Sequence, residues 1–113
     1  RRIGCIVGEQ LKRVSLELGG KNATISFEDV EPREAVALVL RAAFQNAGQI
    51  CLCGSRLLVP RSTLDDWRDA LRAALPAWTA GPPSDDAARV GPLASAAQAA
   101  KVRGYLDLAA SEG

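Results

Sequence analysis

Apolar and polar positions alternate along part of the chain and fall at helical spacing along the rest. Val14, Leu16 and Leu18 are separated by Ser15 and Glu17, a period of two that predicts a strand. Gly19 and Gly20 end it with residues that tolerate positive φ. Ala23 to Phe27 reads as a second short strand. From Pro32 the period changes: Val36, Val39, Leu40, Ala43, Phe44 and Ala47 lie on one face of a helix, with Gly48 as its stop. Pro32 suits a first helical position, and Asp29, Glu31 and Glu34 gather at the positive end of the dipole. Arg56 to Val59 predicts a third strand, ended by Pro60.

Two further helices carry start signals. Ser62-x-x-Asp65 and Ser95-x-x-Gln98 fit a capping box, in which a hydroxyl and a longer acceptor satisfy reciprocal backbone amides. The first runs through Leu64, Trp67, Leu71, Leu75 and Trp78, the second through Val102, Tyr105, Leu106 and Ala109. Gly81-Pro82-Pro83-Ser84-Asp85-Asp86 between them is a loop by composition. Residues 1–11 are ambiguous, the end of a helix being one reading. Strands alternating with helices give an α/β class, and about three strands make an incomplete sheet.

Composition narrows the chemistry more than the fold. The 113 residues carry 14 Lys+Arg against 13 Asp+Glu, a net charge of +1 that leaves no electrostatic footprint for nucleic acid or an anionic membrane. No apolar run approaches the length of a membrane span. The absence of histidine removes His-based triads, His-ligated metals and imidazole proton shuttles. Chemistry is left to Cys, Asp, Glu, Lys or Tyr. The absence of methionine and a start at Arg1-Arg2-Ile3 lead us to expect a piece of a longer protein. Cys5, Cys51 and Cys53 form no disulfide framework and no zinc set, so reduced thiols in a cytoplasmic-type compartment are expected.

Two residues stand at addresses that suit catalysis. Cys51 follows the long helix and precedes a strand, in a loop held by rigid elements. As a nucleophile it needs neighbours that favour the thiolate; otherwise it is a small buried hydrophobe, the reading that fits Cys5 and Cys53 better still. Glu17 occupies the polar phase of the first strand just before the Gly-Gly turn. It is a solvated glutamate unless a partly apolar cleft turns it into a general base. Lys21 reads as a surface lysine, and the Asp65-Asp66 and Asp85-Asp86 pairs as helix-start and loop solvation. No phosphate-cradling glycine motif is present, and Asn22-Ala23-Thr24 is a sequon by spacing only.

Taken together, two segments resemble a known family. Leu16-Glu17-Leu18-Gly19-Gly20-Lys21-Asn22 resembles the glutamate motif of the aldehyde dehydrogenase superfamily, and Phe44-Gln45-Asn46-Ala47-Gly48-Gln49-Ile50-Cys51 resembles its cysteine motif. Glu17 and Cys51 are 34 positions apart, a separation the family uses. The resemblance continues through Cys53-Gly54-Ser55-Arg56 and Val90-Gly91-Pro92-Leu93 into the last helix. Local stretches, among them Ile50-Cys51-Leu52-Cys53 and Gly81-Pro82-Pro83-Ser84-Asp85, are most similar to 2-aminomuconic and 2-hydroxymuconic semialdehyde dehydrogenases.

The resemblance implies a central piece of that fold, with residues 1–20 as the tail of the NAD(P)-binding domain and 21–113 as the opening part of the catalytic domain. It implies oxidation of an aldehyde, of the muconic semialdehyde kind, through a thiohemiacetal and thioester on Cys51, with Glu17 as the base that activates water. NAD is the implied cofactor and NADP the alternative, with Leu18 and Gly19 at its edge and no metal. The oxyanion asparagine and most of the cofactor site fall outside these residues, so the 113 residues alone are expected to be inactive; Asn22 and Asn46 are not substitutes. A cytoplasmic homo-oligomer of the full-length chain is implied. The alternatives are a non-catalytic remnant or partner chain, and a member that transfers the acyl group to coenzyme A.

Overall fold

The computed structural model describes residues 1–113. The chain forms helix α1 (Arg2–Glu9), strand β1 (Asn22–Ile25), helix α2 (Pro32–Phe44), strand β2 (Gly54–Leu58), helix α3 (Leu64–Ala74) and helix α4 (Ala96–Glu112). Single 3₁₀ turns follow α2 and flank α3.

β1 and β2 are parallel neighbours, and α2 is the crossover between them, the connection that parallel strands require. Asn22 pairs with Gly54 and Ala23 with Arg56, so the register slips by one residue at Ser55. Ser26 N–H continues the ladder to the Leu58 carbonyl at 2.9 Å. Gly54 is required at the slip: a Cβ there would collide with the Thr24 hydroxyl.

α2 behaves as its apolar period predicts. Pro32 opens it, Glu31 accepts from Arg33 N–H, and Val36 and Leu40 face inwards. They pack with Trp67 and Ala70 of α3, the four forming the core, with Val39, Leu57, Val59 and Leu71 half-buried around it. Fully removing a side chain such as Leu40 from water contributes roughly 1.5–3 kcal/mol, and this α2–α3 seam holds four of the seven buried residues.

Several expected elements differ. Val14–Leu18 is not a strand; residues 12–21 run without regular structure and are exposed. Alternation describes two faces, but a strand also needs a hydrogen-bonding partner, and no strand lies beside this segment. The sheet therefore has two strands rather than three. Ala47 lies beyond α2, in a turn with positive φ at Asn46, Ala47 and Gly48. α3 is not capped by Ser62: its N-cap is Thr63, whose hydroxyl donates to the Pro60 carbonyl at 3.3 Å. It ends at Ala74 because Pro76 has no N–H to continue the ladder. At α4 the expected cap forms, with Gln98 N–H donating to Ser95 Oγ at 3.1 Å.

α1 and α4 bury no residue. The radius of gyration is 18.4 Å, against about 13 Å for a compact domain of this length. Only 7 of the 113 residues are buried, so most of the apolar surface of these elements is uncovered within this chain. No helix is long and apolar enough to cross a membrane.

Candidate active site

The two residues singled out by their motifs meet. Glu17, Leu18 and Gly19 line one cleft of about 320 Å³ together with Gly20, Asn22, Cys51 and Leu52. On its other side Cys51 borders a second cleft of about 380 Å³, whose walls include Phe44, Ala47, Ile50 and Cys53. Cys51 is exposed and lines both clefts, as do Gly20 and Asn22. The parallel pairing of β1 and β2 produces this meeting. It sets Asn22 beside Gly54, and the Glu17 segment enters β1 from the same end that the Cys51 turn enters β2.

The Cys51 turn is held from several directions. Cys53 N–H donates to the Ile50 carbonyl at 3.0 Å and closes a tight turn around the thiol. The Asn22 side-chain amide donates to the Cys51 carbonyl. Ser55 Oγ donates to the Asn22 carbonyl at 3.2 Å and Arg56 Nη2 to the Lys21 carbonyl at 3.3 Å, fastening the two motif segments together. The backbone N–H of Cys51 bonds to no other backbone group, which leaves it free to face a ligand oxygen. Cys53 is buried, and its thiol donates to the Gln45 carbonyl at 3.5 Å, the behaviour of a small packing residue. Cys5 lies exposed on α1, not in the buried position read for it from sequence. The exposed residues Cys51 and Glu17 therefore share one cleft, while Cys53 packs into the wall of the second.

Phe44, in the wall of the second cleft, pairs with Trp78 outside it. The Phe44 and Trp78 rings lie 5.9 Å apart, tilted at 51°, and the Arg89 guanidinium sits 6.0 Å from the Trp78 ring centre. Tilted ring pairs at this separation are favourable contacts. They anchor the 79–90 loop, which is further closed by Gly81 N–H donating to the Val90 carbonyl at 3.0 Å.

Comparison with known proteins decides the family. The model of the Aldehyde dehydrogenase family matches residues 1–113. The chain belongs to the aldehyde dehydrogenase family. The 2-aminomuconic semialdehyde dehydrogenase of Mus musculus is 42% identical over 112 residues, which are 99% of this chain and 23% of that protein. The human protein of the same name is 40% identical over the same length. Among solved structures, the Mycobacterium tuberculosis aldehyde dehydrogenase complexed with NAD⁺ superimposes with a TM-score of 0.88 at 41% identity, over 99% of this chain and 23% of that one. Betaine aldehyde dehydrogenase from Staphylococcus aureus, also with NAD⁺, gives a TM-score of 0.85 at 34% identity, over 99% of this chain and 22% of that one.

The chain thus spans just under a quarter of the length of these relatives and forms part of the aldehyde dehydrogenase fold. Enzymes of this family are NAD(P)-dependent oxidoreductases that act on aldehydes. The expected fold class and family stand. The hydrogen bonds of the Asn22 and Gln49 side chains, to the Cys51 carbonyl and from the Ala94 N–H, are ones that no spacing in the sequence encodes.

Proposed function

We propose that this chain carries the reacting thiol and the water-activating base of an NAD-dependent aldehyde dehydrogenase, with residues 1–20 ending the cofactor domain and 21–113 opening the catalytic domain. The observation that carries the reading is the cleft shared by Cys51 and Glu17. A thiolate at Cys51 attacks the aldehyde carbon and forms a C–S bond, and the oxygen takes up the negative charge. The free N–H of Cys51 lies on the backbone of the same residue, suited to donate to that oxygen as one half of an oxyanion hole.

The cofactor side of the cleft suits a flat ring. Leu18 is exposed, Gly19 and Gly20 have open space where a side chain would stand, and all three line the cleft with Cys51. A nicotinamide held there by Leu18, Gly19 and Gly20 would supply the hydride acceptor needed to oxidise the Cys51 thiohemiacetal to a thioester. Glu17 then takes a proton from water. Attack of that water on the thioester carbon breaks the C–S bond, frees the Cys51 thiolate and releases the carboxylate. A retained base favours water over coenzyme A as the acyl acceptor.

Similarity to the 2-aminomuconic semialdehyde dehydrogenases supports a semialdehyde of that class as substrate. The test follows reduced-nicotinamide formation by the full-length chain carrying residues 1–113, with 2-hydroxymuconic semialdehyde beside a simple aldehyde. Preference for the semialdehyde, and a loss of at least about 10³-fold in Cys51→Ala, are expected. Unchanged turnover in Cys51→Ala contradicts the reading. Turnover that depends on coenzyme A contradicts the hydrolytic half of it. Residues 1–113 alone, with only one edge of the cofactor cleft, are expected to give no turnover.

A further inference from the structure

The turn between α2 and Cys51 is strained and clamped. Asn46, Ala47 and Gly48 occupy consecutive left-handed conformations, with φ of 51°, 54° and 72°. Asparagine and glycine tolerate that region, but alanine at φ 54° carries a cost of roughly 1–2 kcal/mol. Strain of this kind persists where surrounding bonds over-determine it. One residue supplies those bonds. Gln49 donates from its backbone N–H to the Asn46 carbonyl at 3.1 Å. Its side-chain Nε2 donates to the same carbonyl at 3.3 Å. Its Oε1 accepts the Ala94 N–H at 2.9 Å, a bond across 45 residues to the segment that leads into α4.

Both ends of the Gln49 amide are therefore used, one on the strained turn and one on a distant backbone group. Cys51 follows two residues later. We infer that Gln49 is a positioning residue: it locks the left-handed turn against the 93–95 segment and so fixes where the Cys51 thiol stands above the cleft. This rests on Cys51 being the nucleophile. The side chain touches no reacting atom in this arrangement; its effect is transmitted through two peptide units.

The full-length chain carrying residues 1–113 provides the test, in two variants that break the clamp from opposite ends. Gln49→Leu keeps the bulk and removes both side-chain bonds. Ala94→Pro removes the N–H that Gln49 accepts, while also fixing φ at position 94 and restricting Leu93, and it lies outside the Cys51 turn. Two readouts are taken: amide hydrogen exchange of the peptide spanning residues 45–52, and kcat and KM per folded molecule. Both variants are expected to speed exchange in 45–52 by about tenfold or more while leaving the α2–α3 core protected. They are also expected to lower kcat by about 10- to 100-fold with KM within about threefold, the mark of a misplaced reacting group. Gln49→Glu, which keeps an acceptor for Ala94 N–H, should fall between wild type and Gln49→Leu. Exchange in 45–52 unchanged in both variants overturns the inference, and so does faster exchange with kcat kept within twofold. A separate result, full activity in Cys51→Ala, would instead overturn the proposed function and leave the exchange data to speak for the clamp alone. If Gln49→Leu does not fold, Ala94→Pro and Gln49→Glu decide the matter by the same criteria.

Discussion

A methyl group at position 54 has nowhere to go. A Cβ there meets the Thr24 hydroxyl of the neighbouring strand and comes within 3.8 Å of Ala42 Cβ. Gly54 is also the residue paired with Asn22, where the strand register slips and the two motif segments are joined. Gly54→Ala is therefore expected to destabilise the full-length protein by about 1–3 kcal/mol, the usual cost of overpacking, seen as a lower unfolding midpoint in urea. A midpoint equal to wild type would mean that β1 and β2 do not approach as described. At this scale the sequence singled out Glu17 and Cys51 through two motifs at a fixed separation, and the structure lines one cleft with both. The sequence carried no sign of the hydrogen bonds that Asn22 and Gln49 make. Their partners, the Cys51 carbonyl and the Ala94 N–H, are 29 and 45 residues away, and a left-handed turn at Ala47 follows no residue preference.

Elements were legible in proportion to how far their stability is local. α2 carries its own start signal and an apolar face, and it forms where its period places it, up to Phe44. Val14–Leu18 alternates as regularly but has no neighbouring strand and is exposed on both faces, so the pattern alone does not make a strand. The seam between α2 and α3 should dominate the stability of this part of the fold. Leu40 is 2% exposed at its centre, and Leu40→Ala is expected to cost about 2–5 kcal/mol, from lost transfer energy and the cavity left behind. Equilibrium unfolding measures this. A loss below about 1 kcal/mol would show that the seam is not a packed core. The buried Trp67 beside it has an indole N–H without a partner.

Over the whole molecule, the numbers describe elements arranged around surfaces they do not cover themselves. Seven buried residues and a radius of gyration of 18.4 Å fit a chain that matches under a quarter of each relative yet superimposes on solved members with TM-scores of 0.85–0.88. The α/β class was legible in the alternation of strands and helices. That two distant segments would share one cleft was legible only through the family resemblance, since no local pattern encodes how β1 and β2 align.

The central claim is that Cys51 and Glu17 serve successive steps, acylation of the thiol and then hydrolysis of the thioester. Rapid-mixing measurement of reduced-nicotinamide formation by the full-length Glu17→Gln variant, beside wild type and Cys51→Ala, separates them most directly. Removing the base should leave a first turnover of near wild-type size, one nicotinamide per active site, followed by a steady state slowed by about 10²–10⁴-fold. Cys51→Ala should give neither phase. Loss of the first turnover in Glu17→Gln, with the protein folded and cofactor bound, would contradict the division of labour; an unslowed steady state would remove Glu17 from the mechanism.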